Sequence, residues 1–304
     1  MQDFDITASS LGSQIQAEKP TVLIIGNLDG IHKGHAALIT SARQLADQHN
    51  GTLGAVSFFP HPRRIFQPDA PPFLLASPEK KIALLQEHGV DYLYNLCFDR
   101  QLANMTAVDF IKRCLVETIG CQHIMVGEDF HFGKNRLGNV EILKQAGKAY
   151  NFQVHPQILT SDQKQEIISS SRIRDAIRTG DIETANMLLN WNWGFAVKIQ
   201  NTTEYNDDIL CIEATCSDDD LIEPVPGGYH GTMTSRDEKK SMRVFILHNT
   251  LNFVKLFCNK HRFATEWGTE KDTIVSLQDN LRISDIRDDT LDWIIDQDNE
   301  QDDS

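Results

Sequence analysis

Gly26-Asn27-Leu28-Asp29-Gly30-Ile31-His32-Lys33-Gly34-His35 follows a short β-branched run (residues 21–25, TVLII) and leads into a helix-like stretch over residues 33–48. An uncharged run of that kind reads as a strand buried on both faces of a parallel sheet. The turn after it delivers the chain into the start of a helix, where unpaired backbone N–H groups and the positive end of the helix dipole favour an anion. His32 and His35 stand three apart, so on a nascent helix they share one face and can address the same anion. Gly30 and Gly34 let the backbone approach a phosphate closely. The combination suits a nucleoside triphosphate attacked at its α-phosphorus. Zinc is the other ligand two histidines could serve, and it is disfavoured because no third ligand stands at a suitable spacing.

Outward from this loop, strand-like and helix-like segments alternate. Strands are predicted at residues 53–58, 92–97, 123–126 and 152–155, with helices at 78–88, 107–118 and 140–150 between them. Such alternation implies an α/β, Rossmann-like domain with a parallel sheet and helices on both faces. Ligands of these sheets sit beyond the carboxyl ends of the strands. The loops at 26–35, 60–66, 127–138 and 168–174 are therefore the ones expected to carry chemistry. From about residue 191 the pattern changes to short strands (195–199, 209–214, 243–247) between polar, acidic turns, which reads as a smaller β-rich domain closed by a helix. The expected organisation is residues 1–189, residues 190–295 and an acidic, disordered tail at 296–304.

Bulk composition narrows the partners. The 304 residues are enough for two domains. The net charge of −14 is concentrated late: 23 acidic against 11 basic residues lie from Leu188 onward. That balance argues against nucleic acid, whose phosphates need clustered Lys and Arg. It leaves a protein partner as the expectation for the acidic second domain. No stretch is long and apolar enough for a membrane span, and the N-terminus lacks the basic and apolar regions of a signal peptide, so a cytoplasmic location is expected. The six cysteines show no CxxC spacing and read as free or buried thiols rather than disulfide or metal ligands.

The second phosphate-type loop is Ile168-Ser169-Ser170-Ser171-Arg172-Ile173-Arg174. Serines before an apolar-periodic segment are ordinary helix caps. Yet Ser171 and Arg174 are also three apart, which would let Arg174 reach an anion at that helix start.

The pairing of H-x-G-H with a later S-S-[ST]-x-x-R resembles the nucleotidyltransferase superfamily. Within it, the chain is similar to the prokaryotic bifunctional riboflavin kinase/FMN adenylyltransferases (FAD synthetases). Residues 26–32 match G-x-F-D-G-[VI]-H with Leu28 where Phe is usual, and residues 58–62 match F-x-P-H-P. Residues 126–133 match V-G-x-[DN]-F-x-F-G, and residues 169–174 match S-S-T-x-I-R with Ser for Thr. The resemblance, which covers about residues 15 to 189, implies that ATP and FMN give FAD and pyrophosphate, with Mg²⁺ accompanying ATP. It implies His32, His35 and Arg174 as the catalytic groups, with Gly26, Asn27, Asp29, Gly30, Gly34, Ser170 and Ser171 around ATP. Pro60, His61 and Pro62 would wall the flavin, Phe66 would stack on it, and Asp129, His131, Phe132 and Phe110 would complete its site. For Phe66, Phe110 and Phe132 the plainer reading is core packing, and for Asp129 a turn cap. Lys134, Asn135 and Arg136 stay open between the flavin phosphate and a solvated loop.

The resemblance breaks in the second domain. The family's flavokinase barrel opens with G-R-x-x-G-F-P-T-A-N, whereas residues 189–201 here read LNWNWGFAVKIQN. Residues 224–229 (PVPGGY) keep a trace of the barrel's P-x-G-x-Y segment. Arg243 lies in the stretch where the family carries a catalytic Glu, and a cation cannot accept the riboflavin hydroxyl proton. The expectation is a degenerate flavokinase-like domain and an adenylyltransferase without kinase activity. The alternatives are a non-catalytic flavin- or nucleotide-binding regulator, or an adenylyltransferase with another phosphorylated acceptor.

Overall fold

The computed structural model describes residues 1–13, 20–235, 240–250, 253–267 and 272–281. The acidic tail and the place of the closing helix, within residues 282–304, lie outside the described residues. Contacts divide the chain into two compact units. The first is Met1–Ala70 with Pro78–Ile168; the second is Pro71–Ser77 with the described residues from Ser169 on. A boundary at 189/190, expected from the change of pattern, is therefore not where the contacts fall. Residues 169–189 and the short strap Pro71–Ser77 group with the barrel.

The first unit is a six-stranded parallel sheet. Its strands are β1 (Gln2–Ile6), β2 (Val22–Ile25), β3 (Leu53–Phe59), β4 (Tyr92–Cys97), β5 (His123–Gly127) and β6 (Gln153–Gln157), in the order β1-β4-β3-β2-β5-β6. β2 is central and buried throughout because it pairs on both sides, Ile24 facing Ala55 of β3 and Met125 of β5. The chain runs from β2 outward to β3 and β4, then returns to place β5 on the other side of β2. That reversal opens a crevice beyond the carboxyl ends of β2 and β5, where ligands of such sheets bind. The loops there are the ones after Ile25 and Gly127.

Helices Lys33–Gln48, Pro78–Glu87 and Val140–Tyr150 form close to the predicted bounds. The helix beginning at Ala107 starts on a Thr106 cap and continues as π-helical turns over Phe110–Ile119. β1 is an edge strand that sequence reading missed. QDFDI places two aspartates around a single Phe, and only pairing with β4 and stacking of Phe4 on Tyr94 (5.5 Å between centroids) make it a strand.

In the second unit, helices Ser170–Thr179 and Ile182–Leu189 precede a closed antiparallel barrel. Its strands are β7 (Gly194–Glu204), β8 (Ile209–Cys216), β9 (Gly227–Ser235), β10 (Ser241–Thr250), β11 (Phe253–Asn259) and β12 (Asp272–Leu281). Alternate residues face inward, as on β9, where Tyr229, Gly231, Met233 and Ser235 are buried. The strap is pinned by backbone hydrogen bonds from Phe73 and Leu74 to Asp220 and from Ile222 to Leu74. The wholly buried Trp193 donates its indole N–H to the Leu75 carbonyl at 3.0 Å.

Candidate active site

The β2 loop owes its shape to three special positions within four residues. Leu28, Gly30 and Ile31 all have positive φ, at 50°, 80° and 39°. Two of these are not glycine, so the loop holds unfavourable backbone that its packing must offset; Leu28 and Ile31 are each only 1% exposed. The turn ends at His32, which caps the following helix: its Nδ1 accepts from the backbone N–H of His35 at 3.3 Å. Gly34 is required for a local reason as well as for phosphate access. A Cβ there would come within 3.1 Å of the His32 ring.

The two imidazoles stack, with centroids 3.8 Å apart and planes 15° from parallel. Burial holds the His35 imidazole well below its ordinary range, and the neighbouring His32 ring and Lys81 ammonium push the same way. His35 is therefore neutral near pH 7, and its buried Nδ1 has no hydrogen-bond partner among the described residues. For His35 the structure favours the neutral form.

Lys81 is a residue that sequence reasoning passed over. It stands beside Lys80 near the start of helix Pro78–Glu87. The available signal was its spacing: Leu84 and Leu85, three and four residues on, are the buried positions of that helix. Its ammonium donates to Ser57 Oγ at 2.8 Å, and Ser57 Oγ donates to the Asn27 carbonyl at 3.2 Å. Burial pushes Lys81 down, opposed by the Asp29 carboxylate, itself 5% exposed.

Beside this loop lies a cavity of about 760 Å³ in the same unit. Gly26 and Asn27 form one side of it, and Phe58, Phe66, Phe98, Phe110, Phe130 and Phe132 supply most of its apolar wall. Phe110 and Phe132 are buried and packed at 5.5 Å, so they are core residues that also face the cavity. Phe66 differs: it is 65% exposed and touches Phe98 edge-on at 5.9 Å. His61, Pro62, Asp129 and His131 also line the cavity. Pro60 does not; it precedes the helix Pro62–Phe66 and is joined to Phe59 by a cis bond. Arg63, Lys134 and Arg136 add a basic rim, with Asn135 among them. The Lys134–Arg136 turn stays closed because Gly133, at φ 69°, lies against the Ala107 backbone, where a Cβ would meet it at 2.8 Å.

Two histidines of the cavity have their tautomers set by the backbone. His61 Nδ1 accepts from the Arg63 N–H at 3.1 Å, which makes Nε2 the donor of the neutral ring. His131 Nδ1 lies 2.7 Å from the Asp129 carbonyl, which can only accept, so its Nε2 is the acceptor.

The serine loop forms the helix start Ser170–Thr179. Ser169 is its cap, accepting from the Arg172 N–H at 3.3 Å, so the plain reading holds for that serine. Ser170 and Ser171 occupy the first turn, in register with Arg174 four and three residues on. Arg174 has a structural task the sequence did not announce: its Nε donates to the Phe73 carbonyl at 2.8 Å, with the guanidinium 5.7 Å over the Phe73 ring. These residues belong to the second unit, the histidine loop and cavity to the first.

In the barrel, β7 opens with Gly194, whose missing Cβ lets the strand pass close to the Val275 carbonyl of β12. Tyr229 is buried and donates to the Val225 carbonyl. Arg243 sits on β10 opposite Thr232. Among the described residues no helix is long and apolar enough to cross a membrane.

Residues 14–172 match the family profile described as FAD synthetase. A bifunctional riboflavin kinase/FMN adenylyltransferase of Pseudomonas fluorescens is 36% identical over 169 residues, which are 55% of this chain and 53% of that protein. The match thus spans about half the length of that relative. The protein of the same description from Escherichia coli (strain K12) is 31% identical over 218 residues, 72% of this chain and 69% of its own. A crystal structure of a macrolide-efflux protein from Streptococcus pneumoniae superposes with a TM-score of 0.80 at 22% identity, covering 99% of this chain and 98% of that one. At that identity the likeness is one of fold.

Proposed function

The chain belongs to the FAD synthetase family, and on that premise we propose that it transfers AMP from ATP to FMN, releasing pyrophosphate, without phosphorylating riboflavin. The observation that carries the proposal is the adjacency within one unit of the histidine loop and the aromatic cavity, which share Gly26 and Asn27. A phosphate-handling loop at the mouth of an apolar cavity suits an acceptor that is a flat ring system ending in a phosphate. About 760 Å³ is ample for such a molecule.

The cavity's polar groups fit a flavin. The pyrimidine edge of isoalloxazine alternates carbonyl acceptors with an N–H donor, and the donor of His61 and the acceptor of His131 complement such an edge. The basic rim of Arg63, Lys134 and Arg136 favours an acceptor that carries phosphate over one that does not. Asp129, Phe132 and Phe110 complete the flavin side, with Phe66 as the stacking ring.

A phosphomonoester is already largely dianionic at pH 7, its second pKa being about 6. The nucleophile therefore needs no general base. An FMN phosphate oxygen forms a bond to the α-phosphorus while the bond to the bridging oxygen breaks, and pyrophosphate leaves with that electron pair. What remains for the chain is alignment and stabilisation of charge on the transferring phosphoryl group. His32 and His35 supply this as hydrogen-bonding groups on one face of the helix start. Mg²⁺ enters as part of the ATP substrate. Ser170, Ser171 and Arg174 are assigned to the triphosphate on the strength of their motif alone, as are Gly30, Gly34 and Asp29 through theirs.

Loss of kinase activity rests on the missing glycine-rich signature and on Arg243 in the stretch expected to hold a catalytic carboxylate. The test uses the purified chain with two substrate pairs. FMN with MgATP should yield FAD; riboflavin with MgATP should yield neither FMN nor FAD. No FAD from FMN would remove the proposed activity, and FAD from riboflavin would remove the claim about the barrel.

A further inference from the structure

We propose that Lys81 is the cation that binds the nucleoside triphosphate beside the His32–His35 pair. The inference rests on the reading of that loop as the ATP site and adds to it the group that carries positive charge there.

The geometry places Lys81 at the loop without making it part of the loop's sequence. Its Nζ is 2.8 Å from Ser57 Oγ, and that hydroxyl in turn holds the carbonyl of Asn27, the loop's second residue. Ser57 is wholly buried near the carboxyl end of β3, next to the central strand from which the loop springs. Among the described residues the neutral Ser57 hydroxyl is the hydrogen-bond partner of this ammonium, and the one carboxylate that favours its charge is Asp29.

The electrostatics of the surroundings are unbalanced. Lys81 disfavours a charge on His35, and His32 does the same. Three cation-capable groups, His32, His35 and Lys81, thus lie close enough to disfavour one another's charge, in a place where burial already penalises it. Such an arrangement is costly alone and becomes favourable when a polyanion enters. The orphaned Nδ1 of His35 points to the same conclusion, since a buried polar atom without a partner marks a place where a ligand or water completes the hydrogen bonding. With His35 neutral, that ring offers hydrogen bonds rather than charge, and Lys81 is the buried ammonium beside it that can offset the triphosphate.

A strut between helix Pro78–Glu87 and the loop is the rival role, and two substitutions separate them. Lys81→Gln keeps a donor for Ser57 and removes the charge; Lys81→Arg keeps the charge and alters the donor geometry. ATP binding is measured calorimetrically without FMN, alongside FMN binding by quenching of flavin fluorescence and the melting temperature. Lys81→Gln should weaken ATP binding about ten- to a hundredfold, the worth of a hydrogen bond to a charged group. FMN affinity and melting temperature should stay close to wild type, and Lys81→Arg should recover most of the ATP affinity. ATP affinity unchanged in Lys81→Gln overturns the proposal. So does parallel loss of ATP and FMN binding in both variants with a fall in melting temperature, which is the strut. Because ATP binding is read without turnover, a wild-type chain that binds ATP but forms no FAD would count against the adenylyltransferase reading and leave this test intact. A wild-type chain that binds no ATP would overturn both.

Discussion

His32 and His35 lie ring on ring, 3.8 Å between centroids, with the first ring capping the helix that carries the second. Two imidazolium ions at that separation would repel strongly, and burial adds to the penalty on His35. His35 therefore stays neutral until the pH falls well below 6.5. If a charged His35 were required, FAD formation would decline as pH rises through its lowered pKa and would already be largely lost at pH 6.5. The expected profile of kcat/KM for ATP is instead flat from about pH 6.5 to 8, falling only on the acid side. The FMN phosphate, whose second pKa is about 6, contributes to that acid limb.

The cap and the chemistry of His32 can be separated. His32→Ala removes both the acceptor for the His35 N–H and the imidazole at the anion site. It should cost about 1 kcal/mol of stability through the lost cap and about a hundred- to a thousandfold in rate, typical of losing a donor aimed at developing charge. Asn is a better cap than His, so His32→Asn should restore the melting temperature while the rate stays low. Recovery of rate together with stability would reduce His32 to a cap.

The cavity's phenylalanines divide by exposure. Phe66 is 65% exposed and meets Phe98 edge-on, so Phe66→Ala should leave stability nearly unchanged. It should weaken FMN binding by roughly tenfold, the value of an aromatic stacking contact of about 1 kcal/mol or a little more. Phe110 is 4% exposed and packed against Phe58 and Phe132. Phe110→Ala should instead cost about 3–5 kcal/mol of stability. Fluorescence titration with FMN and thermal melts of both variants check the division. A stability loss in Phe66→Ala as large as that in Phe110→Ala would show that Phe66 is core.

What could be read from the sequence follows how local each cause is. The buried run at residues 22–25, the helix starts and the histidine spacing depend on neighbours within a few residues, and they stand within a residue or two of expectation. β1 was invisible because its stabilising partner, Tyr94, lies ninety residues away. The strap Pro71–Ser77 reads as a loop, and only Trp193, Asp220 and Arg174 make it part of the second unit. Lys81 was hidden for the opposite reason: a lysine in a helix's first turn is ordinarily solvated, and only Ser57 and Asp29 make this one part of the loop. The tautomers of His61 and His131 depend on single backbone contacts, which no pattern of residue types encodes.

The barrel carries its own pH dependence, centred on His248. This residue of β10 is 4% exposed, and neither ring nitrogen makes a well-formed hydrogen bond among the described residues. Burial pushes it down to about 4, against partial opposition from the Val225 backbone. In the unfolded chain a histidine titrates near 6.5, so between these values the unfolded state binds more protons. Stability contributed here is complete above about pH 6.5 and is lost as pH falls toward 4, amounting to roughly 3 kcal/mol. Asp279, held down chiefly by its hydrogen bond from His230, acts with the same sign at more acid pH. The tryptophans among the described residues, at 191, 193 and 267, all belong to the second unit, so their fluorescence follows it. The wild-type fluorescence melting temperature should fall steadily from pH 7 to 4.5. His248→Leu, which has no proton to take up, should flatten most of that slope, and an unchanged slope would show that other groups drive it.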